Sequence, residues 1–484
     1  MEKLIGRKYE CEELSRVMAS SRSEFVILYG RRRIGKTFLV RSFFEDRYDF
    51  HFVGIHGMKA PLQLKNFRRE LVRASGNEQL PEFGNWMEAF EYLEQYLEKL
   101  DVSRRKVLFF DEMPWIDTKQ SDFVVALEYF WNSWVSMRDD IVLIACGSAT
   151  SWMVEKLKGN QGGLHNRITR QIYLRPFTLQ ECQEYLASKG FNWGPYQIIQ
   201  CYMILGGVPF YWSLLEPQFS LPQNIDRLYF RKEGTLRYEF DELYNALFSN
   251  AQRYISIVSA LANHKEGMTR AEIGEASCLS GGTLTKMLAN LEHCDFVTSY
   301  IQYGNRSKTA IYRLTDFYTL FYFKFLRDEQ SFDEDFWMHH FLTPQVAAWQ
   351  GRTFELVCLW HLQQIKRALG ISGIETHVSS WRYVPGKSSL RRQDLPDKGA
   401  QIDLIIERAD RVIHLCEMKF SEGKFAITKE YEQHLRERLE IFRQVTRTNM
   451  ALVHTFITPV GVAPGMNSSI VHSEVTAEAL FAAK

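Results

Sequence analysis

Residues Gly30-Arg31-Arg32-Arg33-Ile34-Gly35-Lys36-Thr37 have the spacing G-x-x-x-x-G-K-[ST]. Gly30 and Gly35 permit backbone angles that a side chain would block. Successive N–H groups can then turn inward as an anion nest at the start of a helix. In such a loop Lys36 reaches the β- and γ-phosphates of a nucleotide, and Thr37 offers a hydroxyl to Mg²⁺. Arg31, Arg32 and Arg33 lie inside the loop, where some face solvent or a partner. The spacing carries meaning only between an entering strand and a leaving helix. Phe25-Val26-Ile27-Leu28-Tyr29 supplies the strand, and residues 37–44 the helix.

Hydrolysis needs acids at the end of a second buried strand. Val107-Leu108-Phe109-Phe110-Asp111-Glu112 has that form. Asp111 is read as holding Mg²⁺ through water, and Glu112 as activating a water for attack on the γ-phosphate. A third apolar run, residues 141–145, leads to Cys146-Gly147-Ser148, from which Ser148 could sense the γ-phosphate. Arg167 and Arg170 follow. Each is a candidate to neutralise transition-state charge, in its own subunit or across a homo-oligomer interface. With residues 51–55, these runs are continuous apolar strands, as in a parallel sheet buried on both faces. Helical stretches lie between them, which makes this an α/β region.

These motifs, in this order, resemble the archaeal-type ATPases, a branch of the AAA+/STAND group of P-loop NTPases. The residues that carry the resemblance begin with Ile5-Gly6-Arg7, Glu12-Glu13-Leu14 and Tyr29 to Thr37. They continue with Phe110-Asp111-Glu112, Cys146-Gly147-Ser148, Arg175-Pro176-Phe177 and Gly206-Gly207-Val208-Pro209-Phe210-Tyr211. The resemblance implies a parallel-sheet ATPase core that takes ATP, with a helical lid carrying the Gly-Gly-x-Pro segment. It also implies that Gly6 and Arg7 lie near the adenine end of the nucleotide. Met113-Pro114-Trp115 departs from the pattern, since members often carry a polar residue such as Gln after the acidic pair.

Beyond the expected lid the pattern changes. Residues 253–263 read as an apolar helix, and Thr269 as the N-cap of a second. A third begins near Ser280, with Leu284, Leu288 and Leu291 on one face. Residues 296–300 and 309–314 form a hairpin around Gly304-Asn305. This is a winged helix–turn–helix pattern. It would contact DNA through Thr283, Thr285 and Lys286 on the third helix and Arg306 and Lys308 on the wing. With one cation among that helix's leading residues, a protein-interaction role competes with DNA binding.

Residues 401–407 and 411–419 read as two strands joined at Ala409-Asp410. The short turn brings Asp403 to within about one residue of opposing Glu417, and Lys419 shares the face of Glu417. Two carboxylates and a lysine suit metal-dependent phosphodiester cleavage, in which the acids hold Mg²⁺ and the lysine helps orient a water. Glu355, on a helix over about 345–369, could add a third carboxylate. This arrangement resembles the PD-(D/E)xK nucleases and the nuclease-like domain that often follows archaeal-type ATPase cores. Asp403 matches the first acid, Glu417 and Lys419 the E-x-K pair, and Glu355 the helical acid.

At 484 residues the chain is too long for one core. The expected multidomain α/β architecture is a P-loop core (1–175), a helical lid (176–245), a winged helix (246–330) and a restriction-endonuclease-like α/β domain (335–484). The net charge of +1 gives no whole-chain basic footprint, so any nucleic-acid surface must be local. The eight cysteines form no C-x-x-C pair, which excludes a disulfide frame and a zinc ribbon and points to a reducing compartment. No signal-peptide core opens the sequence, and the apolar run at 317–326 is too short to span a bilayer and contains Lys324. The expectation is a cytoplasmic ATPase with no membrane partner, whose nucleotide state regulates DNA cleavage or another DNA-directed act. The rival is an ATP-dependent switch acting on a protein partner, without nuclease chemistry.

Overall fold

The computed structural model describes residues 4–101, 103–118, 121–148, 152–153, 166–264, 266–304, 310–329, 333–385 and 396–483. Two compact units divide the chain: residues 1–176 with 245–249, and residues 177–244 with 250–484.

The first unit is built on β1 (Glu24–Tyr29), β2 (Phe50–Val53), β3 (Lys106–Asp111), β4 (Ile141–Gly147) and β5 (Arg170–Tyr173). They run parallel in the order β2-β3-β4-β1-β5. Alternation along each strand divides the core between two faces. Phe25, Ile27, Phe50, Phe52, Leu108, Phe110 and Leu143 pack beneath the helices Ala60–Ser75, Trp86–Glu98 and Phe123–Ser133. Val26, Leu28, Val107, Phe109, Val142 and Ile144 pack beneath Lys8–Met18 and Lys36–Phe44. Each buried side chain of this size contributes roughly 1.5–3 kcal/mol. At the entry end of the sheet, the buried Lys106 ammonium pairs with Asp140, which Arg138 also holds. Burial raises the Asp140 carboxyl, but hydrogen bonds from Arg138 and Lys106 outweigh it and bring it down to about 2.

The second unit opens with the helices Leu179–Ser188, Pro195–Leu205 and Pro209–Ser213. The Phe177 N–H donates to the Gly207 carbonyl at 2.6 Å, and a Cβ on Gly207 would lie 2.1 Å from the Phe177 carbonyl oxygen. Only glycine allows that approach. These helices pack with later parts of the chain. The His361 Nε2 accepts from the Leu179 N–H at 3.0 Å, and Tyr202 meets Phe317 edge-on at 5.2 Å.

Helices Ala251–Ala262, Arg270–Ser277 and Gly281–His293 follow, with β6 (Met268–Thr269), β7 (Val297–Tyr300) and β8 (Ile311–Leu314) in the antiparallel order β6-β8-β7. Thr269 caps the second helix reciprocally with Glu272. The last sheet holds β9 (Thr376–Tyr383), β10 (Ala400–Arg408), β11 (Val412–Met418), β12 (Ala451–Ile457) and β13 (Val471–Val475), in the order β13-β12-β11-β10-β9. Pairing is antiparallel from β9 to β11 and parallel from β11 to β13, with helix Lys429–Thr446 crossing between β11 and β12. The single helix expected over 345–369 is two, Pro344–Trp360 and Leu362–Ala368, interrupted at His361.

Candidate functional site

The loop after β1 has the backbone that its sequence demands. Gly30 has φ 156°, Arg33 66° and Gly35 88°, and Gly35 caps helix Lys36–Phe44. A Cβ on Gly30 would meet the Leu174 carbonyl oxygen at 2.5 Å. Non-glycine residues with positive φ are strained by about 1–3 kcal/mol, and Arg33 carries that strain at the bend. Ile34 and Arg31 are buried, while Arg32 is partly exposed. The buried Lys36 ammonium folds back onto the loop and donates to the carbonyls of Gly30 (3.1 Å) and Arg31 (2.9 Å). A phosphate offers that ammonium a stronger, charge-assisted partner in the same place.

Gly6 and Arg7 both have positive φ. The buried Arg7 guanidinium donates to the carbonyls of Ile34 (3.2 Å) and Arg175 (2.7 Å). Its donors therefore tie the phosphate loop to the segment after β5 and hold backbone.

Because β4 separates β1 from β3, three strand ends meet beside the loop. The Thr37 hydroxyl donates to Asp111 Oδ2 at 2.8 Å, and Asp111 Oδ1 accepts the Glu112 N–H at 2.9 Å. Glu112 sits in the left-handed region at φ 47°, ψ 45°. Close packing imposes this conformation. A Cβ on Gly54 would lie 2.5 Å from the Glu112 carbonyl oxygen, and one on Gly147 would lie 2.6 Å from Pro114. Ser148 donates to Glu112 Oε2 at 2.9 Å. Ser148 therefore holds the acid that would act on water. Met113-Pro114-Trp115 forms a short helix directly after the pair, and Trp115 meets His56 edge-on at 4.2 Å.

The expected arginines are elsewhere in the chain's own sheet. Arg170 opens β5 opposite Val26, while Tyr173 stands opposite Tyr29, next to the loop. Arg170 is thus about 10 Å down the strand, at the entry end, where it pairs with Glu13 at 3.7 Å. Arg167 precedes it on an exposed turn. The register thus places Arg170 away from its own chain's phosphate loop. Sequence reading missed β5 because half of its residues are polar.

Thr283, Thr285 and Lys286 share an exposed stretch of helix Gly281–His293. Arg270 joins them, donating to Thr285 Oγ1 (3.1 Å) and the Gly281 carbonyl (2.7 Å). Arg306 and Lys308 lie outside the described residues.

Leu404 pairs with Cys416, so Asp403 and Glu417 stand one step further along the same ladder. Their side chains are engaged separately. Glu417, which is buried, accepts from Arg438 and from the Tyr431 hydroxyl (2.7 Å), with the Lys419 ammonium 4.0 Å away. Asp403 Oδ1 accepts from the Gln401 amide at 2.7 Å. Glu355 accepts from Arg313 at 3.3 Å. Burial, with help from Asp403, pushes Glu355 up to about 7, against the pull of Arg313 and Lys419. Among the described residues no three His, Cys, Asp or Glu side chains converge closely enough to hold a metal ion. Each acid of the expected three-carboxylate centre, Asp403, Glu417 and Glu355, already has a protein donor.

Residues 4–215 match the ATPase domain predominantly from Archaea. An uncharacterised protein of Methanocaldococcus jannaschii is 26% identical over 328 residues, 66% of this chain and 68% of that one. An uncharacterised ATP-binding protein of the same organism is 44% identical over 43 residues, 9% of this chain and 73% of that one. Among solved structures, a Walker-type ATPase of Pyrococcus abyssi aligns with a TM-score of 0.49 and 16% identity, over 67% of this chain and 97% of that one. The Aeropyrum pernix ORC2 protein, in ADPNP and ADP complexes, aligns at 0.42 and 15%, over 66% and 93%.

The match over residues 4–215 supports ATP binding and hydrolysis by this part of the chain. Gln63 supports the ATPase domain without having shown itself in the sequence. Its buried amide donates to the carbonyls of Ile55 (2.7 Å) and Trp115 (2.9 Å), which braces the Glu112 loop. An amide on an amphipathic helix gives no signal until its partners are seen. No described helix is long and apolar enough to cross a membrane.

Proposed function

We propose that this chain is a Mg²⁺-dependent ATPase whose nucleotide state governs a DNA-directed activity of the second unit. The 2.8 Å hydrogen bond from the Thr37 hydroxyl to Asp111 carries the Mg²⁺ reading. A hydroxyl and a carboxylate converge there beside the phosphate loop, a hard-oxygen donor set that suits Mg²⁺ and not a softer metal. Mg²⁺ held by Thr37 and Asp111 would neutralise charge on the phosphate oxygens. The loop N–H groups cradle the phosphates, and Lys36 exchanges its carbonyl partners for phosphate oxygens. Glu112 takes the proton of the attacking water, and Ser148 orients that carboxylate. Turnover should therefore stop in excess EDTA, and Thr37→Ala should raise the Mg²⁺ concentration needed. Full-rate turnover in EDTA would contradict the reading.

The DNA-directed part rests on the three helices and hairpin of 251–314, read as a winged helix. The exposed Arg270 beside Thr283, Thr285 and Lys286 supports it. DNA contact predicts an affinity that falls steeply as salt rises. A flat response assigns this face to a protein partner instead. The donor-filled acids at Glu355, Asp403 and Glu417 favour that second reading for the last sheet, an ATP-dependent switch with a nuclease-like fold and no cleavage. An arginine acting across a homo-oligomer is tested by mixing Lys36→Ala chains with Arg167→Ala or Arg170→Ala chains and looking for restored turnover.

A further inference from the structure

The second unit contains an ion pair between elements far apart in sequence. Arg313 lies on β8 of the three-stranded sheet, and Glu355 on the helix leading to the five-stranded one. Their side chains are mostly buried and meet at 3.3 Å. Asp403 and Lys419 stand close enough to act electrostatically on the same carboxylate. This corner is where the PD-(D/E)xK pattern would seat a divalent cation.

The hairpin that delivers Arg313 is fastened to the sheet. Just past β7, Gln302 bridges Ser380 on β9, and the Tyr303 N–H donates to the Ser380 carbonyl at 2.7 Å. The Tyr303 ring packs on Phe442 at 5.2 Å, within the core under helix Lys429–Thr446. Arg382 on β9 pairs with Glu266, whose carbonyl accepts the Tyr300 hydroxyl at 2.6 Å. The hairpin thus extends the edge of the five-stranded sheet and holds a guanidinium against its acids.

We infer that Arg313 is a built-in counter-cation that closes the Glu355–Asp403 corner to divalent metal while the hairpin is docked. A guanidinium and a metal ion compete for the same carboxylate, and the docked guanidinium pays no cost of approach. Metal entry then requires the hairpin to withdraw from β9. This closure rests on the acid positions of the nuclease-like reading, but it does not require that the domain cut DNA.

The test is a Mn²⁺ titration of nucleotide-free, full-length protein, with free Mn²⁺ read by electron paramagnetic resonance. Wild-type protein should show no Mn²⁺ site that Asp403→Asn removes. Arg313→Gln should gain one Mn²⁺ per chain, and Arg313→Gln/Asp403→Asn should lose it again. Arg313→Lys, which keeps the charge, should behave as wild type. A wild-type Mn²⁺ site abolished by Asp403→Asn overturns the closure, and this outcome does not depend on how well any Arg313 variant folds. A folded Arg313→Gln protein that binds no Mn²⁺ overturns it as well. DNA cleavage is scored separately. Metal gained by Arg313→Gln without strand cutting supports the closure and removes the nuclease reading. Wild-type metal binding with cutting does the reverse.

Discussion

The phosphate loop and the C-terminal acid corner both gather charged side chains at strand ends, but they satisfy those charges differently. At the loop, the working groups are backbone N–H donors, one lysine folded back on two carbonyls, and a Thr37–Asp111–Glu112–Ser148 chain of hydrogen bonds. The lysine's present partners are neutral carbonyls, which an anion displaces readily. In the acid corner, Arg313, Arg438, Tyr431 and Gln401 hold the carboxylates through charged or strong neutral donors. One region waits for a ligand and the other already holds an internal one. Acids at matching spacing therefore mean different things depending on what else the fold brings to them.

Substitutions separate the two regions by what they disturb. Glu112→Gln should lower kcat by about 10²–10⁴-fold, the usual worth of a positioned base. ATP binding should survive, as read by equilibrium titration. A rate within tenfold of wild type would remove Glu112 from the chemistry. Arg438→Ala should act oppositely. It leaves Glu417 buried without its cation and should cost about 3 kcal/mol of stability in denaturant unfolding. ATP turnover at temperatures where the variant is folded should stay unchanged, and a large fall in kcat would mean that the acid corner feeds the ATPase.

A structural ion pair in the first unit gives the standard for comparison. The folded-state pKa of Asp140, about 2, lies below the ordinary value of 3.8. Its stabilising contribution is therefore present above about pH 4 and is lost as pH falls towards 2, amounting to about 2 kcal/mol. Melting temperatures of wild type and Asp140→Asn should converge over that window. Parallel curves from pH 5 to pH 2 would contradict the pairing. Ser148→Ala should have the smallest effect, because it removes one hydroxyl donor from a partly exposed carboxylate where water can replace it, a loss of about 1 kcal/mol. A kcat lowered by about three- to tenfold, with ATP affinity unchanged, would fit an orienting role. A loss as large as that of Glu112→Gln would make Ser148 a reacting group.

The same contrast explains what could be read in advance. The loop was legible because its chemistry is local: glycines, lysine and threonine at fixed offsets, with a β-rich run before them. The Asp111-Glu112 pair and the opposition of Asp403 to Glu417 followed from strand ends and a short turn. The partners of those acids did not, since Arg313 is 42 positions from Glu355 and Arg438 is 21 from Glu417. Arg170 was misplaced for a related reason. A polar edge strand looks like a loop in sequence, and a residue on it is held at whichever end of the sheet the register dictates. Within the expected helical lid (176–245), nothing local announces that His361 will accept the Leu179 N–H or that Tyr202 will meet Phe317.

The central claim is that the loop after β1 is where ATP is bound and turned over, and single-turnover ATP hydrolysis by Lys36→Ala tests it most directly. Loss of the Lys36 ammonium should lower the rate by at least about 10²–10³-fold, the cost of one lost charge-stabilising donor, while thermal stability stays near that of wild type. Hydrolysis by a folded Lys36→Ala protein at the wild-type rate would show that the chemistry lies elsewhere.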